Sequence, residues 1–334
     1  MVGQQFIALL ANHPWFRVTW LGASHRSEGK PFREAAAWRL PAPLPDDVAR
    51  LQVESATPGG APQLVFSALD SSVAGDIEKS FAEAGHLIVS NSRNHRMEHD
   101  VPLLVPEVNA DHLALLAVQA TERGWKGRIV TNPNCSTVVL SLALAPLGEF
   151  GLQTVMVTTL QAVSGAGYPG VPSWDILGNV IPFIDGEEHK IETETKKILG
   201  TLEGHRIEPH PARISAQTTR VPVQNGHTES VSVALEQQPP LDAIIDALTR
   251  FKGRPQMLGL PSAPAQPIVY LHERNRPQPT LDVDRGAGMT VSVGRLRSCP
   301  VLGYKFIALG HNTVRGAAGA AILNAELMHT EGLL

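Results

Sequence analysis

Short apolar runs separated by helical periodicities make up the first part of the chain. Residues 18–21, 51–53, 64–69, 87–90 and 129–131 read as strands, and 72–84 and 111–123 carry apolar positions at helical spacing. Strands alternating with helices predict a Rossmann-like α/β fold, a parallel doubly wound sheet whose ligands lie at the carboxyl ends of the strands. Residues 1–12 open directly on a helical pattern, with Phe6, Leu9 and Leu10 on one face and no strand before it. Beyond residue 150 the period changes. Residues 154–161, 227–236 and 289–296 form longer strand patterns; Val231, Val233 and Leu235, for example, alternate with Ser230, Ser232 and Ala234. Such alternation predicts a mainly antiparallel sheet with one covered face, packed by helices at 187–199 and 241–251, in a second domain of α+β type. A Pro-rich connection (274–279) follows. A closing helix over 313–328, rich in small residues, is expected to return to the first domain.

The junction of the two patterns holds the chemistry. In IVTNPNCSTVVLSLALAPL (129–147) a β-branched run ends in Asn132-Pro133-Asn134, turn chemistry that cannot continue a strand, and Cys135 follows at the mouth of an apolar helix. Free amides and the positive dipole end at such a position favour a thiolate, the attacking form of cysteine. A buried cysteine acting as a small hydrophobe is the alternative. In RVPVQNGHTE (220–229) the Asn225-Gly226 turn precedes His227, which could serve Cys135 as base and acid or hold it as an ion pair. Arg220, seven residues earlier, offers a fork for a carboxylate. Glu187 and Lys190 share a helix face and suit a small zwitterion or a solvated ion pair. Arg93 and Arg96 follow a strand end, where either could bind phosphate. After the 18–21 strand come Ser24, Arg26, Ser27 and Lys30 in place of an acidic residue, a set that suits the 2′-phosphate of NADP.

Composition narrows the partners. The 334 residues carry a net charge of -4, which offers no basic footprint for nucleic acid. No apolar run reaches the roughly 18 residues that span a bilayer. Two cysteines, Cys135 and Cys299, supply no disulfide framework and point to the reducing cytoplasm, and neither cysteines nor histidines have metal-ligand spacing.

Taken together, NPNCST, LQAVSGAGYPG, EEHKIE, RVPVQNGHTE and GHNTVRGAAG, in this order over nearly the whole chain, resemble the aspartate-semialdehyde dehydrogenases of the archaeal and fungal branch. The resemblance implies NADPH-dependent reductive dephosphorylation of L-aspartyl 4-phosphate to L-aspartate 4-semialdehyde, on the route to lysine, methionine and threonine. It implies Cys135 as the nucleophile that forms an acyl-thioester, His227 as acid/base, and Gln161 as the residue that orients substrate. Arg220 and Glu187 would hold the substrate carboxylate and amine, and Lys190, Arg96 and Asn134 the transferred phosphate. Asn312, Ser164 and Gly165 would lie beside the nicotinamide; Val2, Gly3, Ser24, Arg26, Ser27 and Ser67 would contact the rest of the cofactor. Residues 1–134 and 313–334 would form the NADP-binding domain, and 135–312 the catalytic and dimerisation domain of a homodimer or homotetramer. Family members begin with a strand and a Gly-x-x-Gly-x-Val-Gly turn, of which only Met1-Val2-Gly3 match here. A chain that starts at Met1 is therefore expected to bind NADP weakly and to be poorly stable. Two further readings stay open on the residues: a related malonyl-CoA or N-acyl-glutamyl-phosphate reductase, and a non-catalytic dimeric remnant.

Overall fold

The computed structural model describes all 334 residues. Helix α1 (Val2–Leu10) leads into two parallel sheets, one of β1 (Leu21–Ala23) and β2 (Val53–Ser55), the other of β3 (Leu64–Ser67), β4 (Leu87–Ser90) and β5 (Arg128–Thr131). The crossover from β3 to β4 is helix α2 (Ser71–Ala84), capped at its start by the Asp70 carboxylate and stopped by Gly85 at φ 112°, a left-handed position that suits glycine. Helix α3 (Leu115–Arg123) makes the crossover to β5. It starts later than its periodicity suggests because 110–114 winds as a 3-10 turn. Strands β1 and β2 also start two or three residues later than the pattern suggests, and upstream of β1 the Nδ1 of His13 accepts the N–H groups of Trp15 and Phe16 in a turn. Between β1 and β3 lies a cavity of about 560 Å³, lined by Phe6, Trp20, Leu64, Phe66, Phe81 and Ile88 among others.

Helix α4 (Cys135–Leu144) is buried at every residue from Ser136 to Leu144, as expected of a helix that is apolar all round. It packs on a six-stranded mixed sheet made of β6 (Leu152–Gln161), β9 (Arg213–Arg220), β10 (His227–Leu235), β11 (Ile268–Leu271), β12 (Val291–Cys299) and β13 (Gly303–Gly310), in spatial order β11-β12-β13-β10-β6-β9. Three of its pairings are antiparallel and the two outer ones parallel. A small hairpin of β7 (Thr201–Glu203) and β8 (Arg206–Glu208) stands apart. Helices α5 (Glu187–Ile198) and α6 (Leu241–Arg250) contribute Ile191, Ile198, Ile244 and Leu248 to the core under this sheet. The last helix, α7 (Gly319–Thr330), begins after a π turn at Val314–Ala318. Its Ile322, Leu323 and Leu327 share a core with Phe6, Leu10, Leu87, Val89 and Val130, so the closing helix sits with the parallel strands.

Candidate active site

Asn134 makes the start of α4. Its Oδ1 accepts from the N–H groups of Ser136 (3.0 Å) and Thr137 (3.3 Å), while its Nδ2 donates to Glu187 (2.5 Å) and fixes which way the amide faces. The N–H of Asn134 itself donates to the Glu194 carboxylate at 2.6 Å. Three of the four amides at this helix mouth are thereby occupied, and the N–H of Cys135 is the one left over.

Register places His227 over the thiol. Gln161 pairs with Arg220 across β6 and β9, Thr228 pairs with Leu160, and His227 pairs with Gly310. The buried face of one row thus carries Arg220, Gln161 and His227 side by side. His227 Nε2 lies 3.1 Å from Cys135 Sγ, and its Nδ1 accepts the N–H of Ala162 at 3.1 Å. Since Nδ1 is an acceptor, the neutral ring carries its proton on Nε2, toward sulfur. Burial, then Arg220 and His311, push His227 down to about 3. Burial and the Glu187 carboxylate push Cys135 up to about 12, against the pull of Arg220, Arg96 and Lys190. Both shifts favour thiol and neutral imidazole over a thiolate–imidazolium ion pair, because desolvation outweighs the pull of the helix end.

Around this pair the structure gathers most of the residues singled out in the sequence. Arg220 donates Nη1 to the Ala162 carbonyl (2.8 Å), and Glu187 pairs with Lys190 (2.5 Å). Arg96 is buried where Arg93 is exposed, which separates the two candidates; it donates to Glu194 (2.9 Å) and the Asn91 carbonyl (2.8 Å) and leaves its Nε without a partner. Asn312 donates to Ser164 Oγ (2.8 Å) and accepts from Gly226 N–H (2.9 Å). A Cβ on Gly165 would come within 2.9 Å of Arg220 Nη1 and 3.0 Å of His227, so only glycine lets the loop approach this closely. Gln161 is buried in the same row but donates to Thr159 Oγ1 at 3.3 Å. A second group lies apart: Gly3, Ser24 and Ser67 line the cavity between β1 and β3, beside Val2 at the start of α1, and the buried Ser67 Oγ has no partner there. Arg26 and Ser27 sit beyond its lining, in the turn after β1, with Arg26 exposed.

Sequence reasoning missed four contributors. Glu194 and Lys197 continue the stripe 187, 190, 194, 197 on α5, a spacing that a heptad count shows. The Ala162 N–H has no sequence signal. Gly316 packs against Cys135 so tightly that a Cβ would lie 2.7 Å from Cys135 Cβ; it lies within GHNTVRGAAG but was given no role there.

Comparison with known proteins decides the family. Residues 1–116 match the semialdehyde dehydrogenase NAD binding domain, and 144–315 match the semialdehyde dehydrogenase dimerisation domain. The aspartate-semialdehyde dehydrogenase of Archaeoglobus fulgidus is 49% identical over 335 residues, covering 100% of this chain and 96% of that protein. The chain belongs to the aspartate-semialdehyde dehydrogenase family. The crystal structure of the Candida albicans aspartate-semialdehyde dehydrogenase with NADP superposes with a TM-score of 0.91 at 43% identity, covering 100% of this chain and 96% of that one. The Vibrio cholerae aspartate-semialdehyde dehydrogenase II superposes at 0.75 with 26% identity, covering 99% and 96%. The aspartate-semialdehyde dehydrogenase fold is thus a Rossmann-like parallel part joined to a mixed catalytic sheet, as the hydrophobic pattern predicts.

Proposed function

We propose that this chain catalyses NADPH-dependent reductive dephosphorylation of L-aspartyl 4-phosphate to L-aspartate 4-semialdehyde in amino-acid biosynthesis. The carrying observation is the 3.1 Å contact of Cys135 Sγ with His227 Nε2 inside a ring of Arg220, Glu187, Lys190 and Arg96. The Arg220 fork takes the substrate carboxylate and Glu187 its ammonium. Lys190, Asn134 and the free Nε of Arg96 take the phosphoryl group. Sulfur attacks the acyl carbon as its proton passes to an oxygen of the phosphoryl group, and the C–O bond to phosphate breaks, so that phosphate leaves carrying that proton. The acyl-thioester oxygen faces the one unoccupied amide of the helix mouth, Cys135 N–H, and His227 Nε2–H, both donors aimed at a developing oxyanion. His227 thus begins as a hydrogen-bond donor in its neutral form, the base form of its acid/base couple. When bound, NADPH supplies the hydride that reduces the acyl carbon; the C–S bond then breaks, the aldehyde leaves, and the Cys135 thiolate regains a proton from solvent. Ser164, Gly165 and Asn312 would face its reactive ring, while Val2, Gly3, Ser24 and the unpartnered Ser67 Oγ would face the remainder, with Arg26 and Ser27 reaching in from their turn toward the 2′-phosphate. Gln161 would orient substrate after releasing Thr159.

Finer readings have their own supports. Identities of 49% to an archaeal and 43% to a fungal member, against 26% to the Vibrio enzyme, support the archaeal and fungal branch. The open edges of β1 and β3 across the cavity support a sheet that accommodates one further strand between them, which would strengthen NADP binding. Exposed Met156 and Leu160 on the outer face of β6, with Trp174, Leu177 and Phe183 nearby in sequence, support a homodimer or homotetramer formed through the mixed sheet. We divide the chain at 134/135 and 312/313, and the unpaired Cys135 and Cys299 support a cytoplasmic location. No helix is long and apolar enough to cross a membrane. The test is phosphate-dependent reduction of NADP+ by aspartate semialdehyde. Activity lost on Cys135→Ala supports the reading; activity with free coenzyme A in place of phosphate overturns the substrate.

A further inference from the structure

We propose that Glu194 is a positioning residue that couples anion binding at Arg96 to the geometry of the Cys135 helix mouth. This rests on the reading of Arg96 as part of the phosphate site. Glu194 is 2% exposed and spends its two carboxylate oxygens on two different elements. Oε1 accepts from Arg96 Nη1 at 2.9 Å, and Oε2 accepts from the backbone N–H of Asn134 at 2.6 Å. One rigid carboxylate therefore joins the guanidinium that faces phosphate to the residue that caps α4.

The neighbours make this joint stiff. Lys197, one turn further along α5, is buried and donates Nζ to the carbonyls of Arg96 (2.8 Å), Glu98 (2.7 Å) and Val101 (2.9 Å), so the loop that carries Arg96 is pinned to the same helix face. Glu187 holds the Asn134 side chain two turns earlier. With Nη1 on Glu194 and Nη2 on the Asn91 carbonyl, the plane of Arg96 is fixed and its buried Nε is the donor left for an anion. By satisfying the Asn134 amide, Glu194 also leaves Cys135 N–H as the sole free amide of the helix mouth. A shift of the guanidinium toward a phosphoryl oxygen is felt at Asn134 through a single side chain. Phosphate occupancy and thiol placement are then one coupled event.

The test uses the full-length protein in the phosphorylating direction, with inorganic phosphate as the probe. Glu194→Gln keeps an acceptor for Asn134 N–H but turns an NH2 group toward Arg96; Glu194→Asp keeps the charge and shortens the reach. Phosphate KM is expected to rise on the order of 10-fold in Glu194→Gln, with kcat falling as well, because misplacement of reacting groups costs rate steeply. In an Arg96→Ala background the same Glu194→Gln change should leave phosphate KM unaltered, since the partner through which it acts is gone. Phosphate should also change the rate of Cys135 alkylation by iodoacetamide in the unsubstituted protein and not in Glu194→Gln or Glu194→Asp. A raised phosphate KM in Arg96→Ala, with Glu194→Gln adding its full effect on top, overturns the role of Glu194 alone. An unchanged phosphate KM in Arg96→Ala overturns the anion-site reading and this coupling with it.

Discussion

The N–H of Ala162 donates to Nδ1 of His227 at 3.1 Å, and this one bond decides where the imidazole keeps its proton. Nitrogen-15 spectra of histidine-labelled protein should show His227 neutral with the proton on Nε2 across pH 5–8. Ala162 has φ -62° and ψ 149° and follows a strand residue, so proline fits there while removing the donor. In Ala162→Pro the ring is free to take a second proton, and the acid limb of the rate profile should move to higher pH. The linkage has a definite sign. A histidine lowered from 6.5 to about 3 binds fewer protons in the folded state, so its contribution to stability is present above 6.5 and is lost as the pH falls toward 3. Urea titrations from pH 7 to 4 should show a shallower acid loss in His227→Asn.

Glu187 raises the Cys135 thiol and, in the proposed complex, grips the substrate ammonium. These two roles predict effects of opposite sign. Glu187→Gln should speed alkylation of ligand-free Cys135 several-fold at pH 8, because the opposing charge is gone. The same change should cut kcat/KM for aspartate semialdehyde by about 10–100-fold, the worth of a hydrogen bond to a charged group. Slower alkylation in the variant would show that Glu187 does not act on the thiol through its charge.

Gly316 is where the C-terminal segment meets Cys135. An added Cβ would stand 2.7 Å from Cys135 Cβ and 3.0 Å from its Cα, atoms that cannot swing aside as a long side chain would. Gly316→Ala should displace Cys135 from its 3.1 Å contact with His227 and lower kcat by about 100-fold, while the thermal midpoint moves little. Equal activity in the variant would mean that the helix mouth tolerates the shift.

What the sequence made legible follows from physics that is local. Asn132-Pro133-Asn134 can only turn, so the Cys135 helix mouth was readable, and Asn225-Gly226 placed His227 at a strand start in the same way. Alternation over 227–235 showed the sheet because one of its faces is covered, whereas β11 and β13 were passed over: β13 carries Tyr304, Phe306, Ala308, Leu309 and Gly310 all buried, which blurs the period. Protonation states were not legible, since they depend on burial and on the Ala162 amide, contributed from a separate strand end. Spacing alone shows Glu194 on the same helix face as Glu187, but not its role, because its partners lie 98 and 60 residues away.

Arg315 and Glu107 form a fully buried, two-pronged ion pair at 2.7 and 2.5 Å, which fastens the turn before α7, and with it Gly316, to the short helix Pro106–Asn109. Neither charge reaches water, and Arg315 Nε has no further partner, so the guanidinium depends on this one carboxylate. Removing the partner strands the charge. Glu107→Ala should therefore destabilise the protein by about 3–5 kcal/mol in urea unfolding, well beyond the cost of a surface pair. Replacing both residues by methionine removes the desolvation cost along with the attraction, and should restore most of that stability. If Glu107→Ala and the double substitution unfold at the same urea concentration, the pair's contribution is packing and not charge.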